Sequence, residues 1–205
     1  MPLQSEPNRT RRHRGFSTIE LLIVTLILLV VAAMAIPKYL TIVRNMRIAG
    51  DARGIADQIA LAKMRAASKF TQARLYVDLS ANTYHIEYWQ KTGAPGWVAE
   101  GGTQFLSPGV TLGFGSLNSA PPNTQTTIAQ APACLVSNTG TATIANTACL
   151  QFNSRGIPID STWAPTPIDA IYVTDGVAVY GATVSAMGLI QTWRSGVSTA
   201  AWWKQ

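Results

Sequence analysis

Chemistry has few places to begin in this 205-residue chain. Two histidines and two cysteines, Cys134 and Cys149, are too few for a tetrahedral metal site, so neither a metal centre nor a cofactor is expected. His85 stands between Tyr84 and Ile86 in an alternating run, the place of a strand-pairing residue rather than a general base. Ser154 and Ser185 lie in no nucleophile context, and no glycine-rich phosphate loop is present. Asp160, Asp169 and Asp175 stand singly near turn or strand ends, where carboxylates cap or turn the chain. No catalytic residue is assigned, and no enzymatic activity is expected. One group demands a chemical account. Glu20 opens an apolar run, where a carboxylate costs about 2–3 kcal/mol in a bilayer and is normally partnered.

The element that must position Glu20 is that run itself. Residues 21–36 read LLIVTLILLVVAAMAI, with Thr25 the sole polar residue. Extended back to Phe16, the run would form a helix of about 31 Å, matching a hydrocarbon core of about 30 Å. Arg9, Arg11, Arg12 and Arg14 precede it, which by the positive-inside rule places the N-terminus in the cytoplasm and the chain after Pro37 outside. A secretory signal would need small residues at a cleavage site, which Ala33 and Ala35 offer, but the amphipathic sequence continues past Pro37. A plain signal anchor explains everything except Glu20.

The string Arg14-Gly15-Phe16-Ser17-Thr18-Ile19-Glu20 resembles the type III signal of type IV pilins and type II secretion pseudopilins. The resemblance implies cleavage between Gly15 and Phe16 by a prepilin peptidase and N-methylation of Phe16. Counted from Phe16, Glu20 is fifth and Pro37 twenty-second, the family's positions for its glutamate and proline. It further implies that Glu20 pairs with the N-terminal amine of a neighbouring subunit during filament assembly. A buried carboxylate is tolerable when paired, and the pair fixes register. Pro37 removes a backbone donor and should kink or locally melt the helix.

Beyond Pro37, residues 38–72 continue as a helix with an apolar stripe at Ala52, Ile55, Ile59, Ala62, Ala66 and Phe70. Gly50 and Gly54 weaken its middle by roughly 1 kcal/mol each. Its basic residues, seven from Lys38 to Lys69, read as a solvated face, with lipid head groups or an acidic partner as the alternative. The period then switches to two. Residues 75–78 and 83–89 form a hairpin across Ser80-Ala81-Asn82. Further strands are expected near 109–114, 149–153 and 170–174. Asp175-Gly176 turns the chain into 177–184, and Met187-Gly188 into 189–193. Residues 116–147, rich in Thr, Ala, Asn and Pro, read as a long exposed loop.

The segment Leu61 to Lys69 followed by Val77, the tripeptide Gly96-Trp97-Val98, and Gln151-Phe152-Asn153-Ser154-Arg155-Gly156 are similar to segments of GspH- and FimT-like minor pilins. The expected fold is α+β: a long N-terminal helix, transmembrane in its first half, on an antiparallel β-sheet head. The expected organisation is a leader over 1–15, an assembly helix over 16–37, an amphipathic half over 38–74 and a periplasmic head over 75–205. The resemblance implies a single-pass inner-membrane protein that enters or primes a type IV pilus or type II secretion pseudopilus. Its partners would be the prepilin peptidase, other pilin or pseudopilin subunits, the inner-membrane assembly platform and the bilayer. Outside the cytoplasm, Cys134 and Cys149 can oxidise, closing a loop worth about 3 kcal/mol; two free buried thiols are the alternative. The competing function is a membrane-anchored DNA-binding module, with Arg194 and Lys204 beside Trp193, Trp202 and Trp203 as phosphate contacts. Two cations are few for that task, and aromatic residues closing the core are the plainer reading.

Overall fold

The computed structural model describes residues 15–166, 168–198 and 200–205; of the basic leader expected over 1–15, all but Gly15 lies outside the described residues. Two compact units divide the chain, one up to Val43 and the other Arg44–Gln205. A single helix, α1 (Thr18–Ser68), contributes to both. Helical structure is unbroken across Pro37, so the chain does not melt there; Thr41 Oγ1 donates to the Pro37 carbonyl at 3.1 Å. The helix stops short of the expected residue 72 because Phe70 adopts φ 48°. Thr71 N–H then reaches back to Ala66 O at 3.2 Å and Phe70 N–H to Ala67 O at 3.3 Å, the paired bonds of a Schellman stop.

From Arg44 onward the helix buries Ile48, Ala52, Ile55, Ile59, Ala62 and Ala66. This stripe begins one turn earlier than the sequence pattern indicates, and it excludes Phe70. Past the helix end, in a left-handed conformation, Phe70 is 77% exposed. Basic residues in and just after the second half of the helix stay largely exposed but make pairs. Arg65 and Lys69 pair with Glu100 at 3.2 and 3.4 Å, Arg44 with Asp175 at 3.3 Å, and Lys63 Nζ donates to Gly188 O at 3.0 Å.

Among the described residues, ten strands follow: β1 (Ala73–Asp78), β2 (Thr83–Gln90), β3 (Gly96–Phe105), β4 (Thr111–Leu112), β5 (Thr147–Phe152), β6 (Pro158–Ile159), β7 (Ile168–Thr174), β8 (Ala178–Ser185), β9 (Ile190–Gly196) and β10 (Trp203–Lys204). They make two antiparallel sheets, ordered β3-β2-β1-β5-β6 and β10-β9-β8-β7-β4. The expected hairpin forms with Ala73 opposite Tyr88 and Asp78 opposite Thr83. Asp78 Oδ1 accepts from Ser80 and Ala81 N–H to close its turn. The core is built by alternation. Leu75, Val77, Tyr84, Ile86, Leu150 and Phe152 from the first sheet meet Ile171, Val173, Tyr180 and Val184 from the second around the helix stripe.

The opposite face of the second sheet is also apolar. Ala170, Tyr172 and Val179 pack there against Leu117 and Ile128, with Phe114 and Trp202 at the margin. Residues 116–147 are a loop, with more than half of its residues exposed as the composition suggests, but its inner side is anchored. Leu117, Ile128, Ala131, Cys134 and Leu135 are all buried. The segment shows little period because its own pairing is confined to one antiparallel bridge, Leu135 with Thr143, flanked by bonds from Val136 N–H to Ala142 O and from Ile144 N–H to Cys134 O. It is also tied to the second sheet: the Gln130 side chain accepts from Tyr172 N–H at 2.8 Å and donates to Tyr172 O at 2.9 Å. At its middle, Ala131 N–H donates to Ala170 O on β7, and Pro132 O accepts from Cys149 N–H on β5. Adjacent residues thus strap the two sheets together.

Candidate assembly site

Gly15, Phe16 and Ser17 precede the first helical turn and are non-helical and exposed. An added Cβ at Gly15 would meet nothing within 4 Å among the described residues, so both sides of the Gly15–Phe16 junction are exposed there. Leu21 N–H donates to Ser17 O at 3.1 Å, and Thr18, Ile19 and Glu20 form the first turn. A carboxylate there faces the unsatisfied N–H groups and the positive end of the helix dipole. Glu20 has no ion-pair partner among the described residues. The apolar residues that follow are exposed throughout, and the helix contains a stretch long and apolar enough to cross a membrane.

Within the head, the outer face of the first sheet carries a polar cluster that sequence reasoning missed. Arg74 and Glu87 stand opposite each other on β1 and β2. The Arg74 side chain is 2% exposed; its Nε donates to Glu87 Oε2 at 2.6 Å and its Nη1 to Leu135 O at 2.6 Å. Its guanidinium lies 4.0 Å from the Trp97 ring centre. His85 stacks on Tyr76 with centroids 4.9 Å apart and places Nε2 3.2 Å from Glu87 Oε1. Burial pulls the Arg74 pKa down against the pull of Glu87, yet from so high a starting point that it remains a cation. Burial acts to raise the Glu87 carboxyl, but the bonds from His85 and Arg74 outweigh it and hold Glu87 below the ordinary carboxylate range. A basic and an acidic residue at positions that pair across a predicted hairpin was the available signal.

Cys134 and Cys149 are bonded, with S–S 1.99 Å and Cα atoms 4.9 Å apart. Their bridge brings Leu135 over the first sheet, where its carbonyl meets Arg74. Phe152 lies in the core, and four residues later Gly156 turns with φ 73°. A Cβ at Gly156 would stand 3.0 Å from Lys63 Cγ, which gives the Phe-x-x-x-Gly spacing a packing reason.

The single carboxylates divide by role. Asp160 Oδ1 accepts from Thr162 and Ala164 N–H, and Asp175 Oδ1 from Val177 and Ala178 N–H, both closing turns. Asp169 instead lines a cavity of about 210 Å³ with Asp160. Burial, opposed by a bond from Thr166, pushes its carboxyl above the usual range. Of the proposed DNA contacts, Arg194 pairs with Trp203 and Lys204 with Trp193, so the register sets the two cations on opposite faces of the sheet. Trp193 and Trp202 serve packing: Trp193 Nε1 donates to Thr183 Oγ1, and Trp202 lies 5.9 Å from the Tyr172 ring.

No protein-family model matches the sequence, and no curated protein matches it. Among solved structures, the chain is similar to the minor pseudopilin EpsH from the type 2 secretion system of Vibrio cholerae, at 12% identity and a TM-score of 0.43 over 71% of this chain and 95% of that one.

Proposed function

We propose that this chain is a structural subunit of the pilin and pseudopilin kind, cut between Gly15 and Phe16, N-methylated at Phe16, and assembled into or priming a periplasmic filament. The observation that carries this reading is one short stretch. An exposed Gly-Phe junction lies directly before a helix whose first turn holds Glu20 and whose next turns are apolar but for Thr25. Cleavage there would create an amine at the head of the helix, and Glu20 would offer a neighbour's amine a partner in low dielectric, where such attraction is strongest. The prepilin peptidase, other subunits, the assembly platform and the inner membrane are the partners this role requires. The head supplies shape and contacts rather than catalysis.

Intact-mass analysis of membrane-extracted protein tests the proposal. The expected species begins at Phe16 and carries one additional methyl group. A mature chain starting at Met1, or after Ala35, would sink it.

A further inference from the structure

One end of the first sheet holds a cavity of about 110 Å³ whose wall contains an unexplained group. Gln72 is 95% buried, being 5% exposed, and both its Nε2 and its Oε1 lack a hydrogen-bond partner. Leaving a buried amide unpaired is costly, so such atoms call for a bound partner. Around Gln72 stand Phe70, Trp89 and Trp163, with Asn138 and Asn153. Phe70 and Trp163 are 77% and 51% exposed, and both hold left-handed backbone, φ 48° and 70°. Glycine is the usual residue at such positions. Here two large aromatics occupy them and face one cavity, and backbone strain of this sort gathers at ligand clamps. A groove of about 330 Å³ runs on from the cavity, sharing Trp89 and Lys91.

We infer that this cavity binds an N-acetylated hexosamine unit of a glycan. An acetamido group offers one N–H and one C=O, the complement of Gln72 Oε1 and Nε2. Its methyl group and the C–H face of its ring match the exposed aromatic surfaces, while the adjoining groove accommodates the next sugar. An anion is a poor fit, because the nearby cations are engaged: Lys91 Nζ donates to Phe70 O at 2.6 Å, and Lys69 pairs with Glu100. The same shortage of free cations disfavours single-stranded nucleic acid. A peptide adding to a sheet needs an open strand edge, and Trp89, which sits on a strand, is already paired with Trp97.

Saturation-transfer NMR on full-length protein in lipid nanodiscs, with N,N′-diacetylchitobiose as probe, tests the inference. Two variants are expected to fold. Gln72→Leu replaces an unpartnered amide by an apolar group of similar shape, and Phe70→Gly relieves a left-handed residue. Saturable transfer, largest at the acetyl methyls, should fall at least tenfold in each variant and be absent for unacetylated chitobiose. No transfer from the native protein would mean that the cavity holds water alone and would overturn the inference. So would transfer that persists in both variants, equal transfer to unacetylated chitobiose, or stronger transfer to N-acetylglycine amide or to oligothymidine.

Discussion

At the residue scale, the head's charges are sorted by whether burial or bonding wins. Glu87 is held low by His85 and Arg74, so the stability it contributes is fully present above its unfolded pKa of about 4.3 and is lost as pH falls through its lower folded value. Asp78 and Asp160 also have lowered pKa values, from N–H and hydroxyl bonds to their carboxylates, and they act with the same sign. Asp169 runs the other way: its raised pKa adds stability as pH falls toward about 3.9. Urea unfolding at pH 7 and pH 3 should therefore show Glu87→Gln less stable than the native protein at pH 7, with the gap closing at pH 3. An equal gap at both pH values would show that Glu87 is not the titrating partner of Arg74. The turn carboxylates were legible in the sequence because their bonds are local. Arg74 was not, because its surroundings come from three distant places, β2, β3 and the chain near Leu135. Phe70 misled for the opposite reason, since it continues the apolar spacing of a helix that has already ended.

At the scale of elements, strands whose two faces differ announced themselves by alternation, as β1 and β2 do. Strand β6, two residues long, and β10, also two, carry too little pattern to see. Strand β3 hides its period behind an exposed far end, Gly101 to Phe105. The buried side of 116–147 is hidden from the sequence because much of its order comes from distant partners, Tyr172, Ala170 and Cys149, beside one short bridge of its own, Leu135 with Thr143. Its disulfide should hold the part lying on the first sheet. Replacing Cys134 and Cys149 by Ser should cost about 3 kcal/mol in the chain-entropy model. Hydrogen exchange should quicken over 132–147 and leave the β7–β8–β9 meander protected. Uniform loss of protection across both sheets would mean that the bridge holds the whole head rather than one strap.

At the scale of the whole molecule, the division at Val43 and Arg44 separates an exposed apolar helix segment from a head with a complete core. A fragment Arg44–Gln205 keeps Ile48 and the Arg44–Asp175 pair. It should be soluble and monomeric by sedimentation, with the near-ultraviolet dichroism of packed tryptophans. Insolubility with native-like secondary structure would instead expose an obligate interface on the head. The α+β plan and the helix-to-hairpin order could be read from the sequence, since each rests on neighbours in the chain. The division into two sheets could not, since it depends on which distant strands meet.

That division is interleaved along the chain. Strands β1 to β3 enter the first sheet, β4 enters the second, β5 and β6 return to the first, and β7 to β10 complete the second. Ala73 finds its partner Phe152 only after the chain has visited the other sheet. Such distant pairing pays its loop-closure entropy before any contact rewards it, which slows folding more than it weakens the product. The helix-and-hairpin layer and the β7–β9 meander can each form early; they meet around the helix stripe, and residues 131 and 132 then bond β7 and β5 side by side. Until then each half shows an uncovered apolar face. Aggregation before the two sheets meet is therefore the hazard this topology brings, and its window closes as the shared core and those two adjacent hydrogen bonds form.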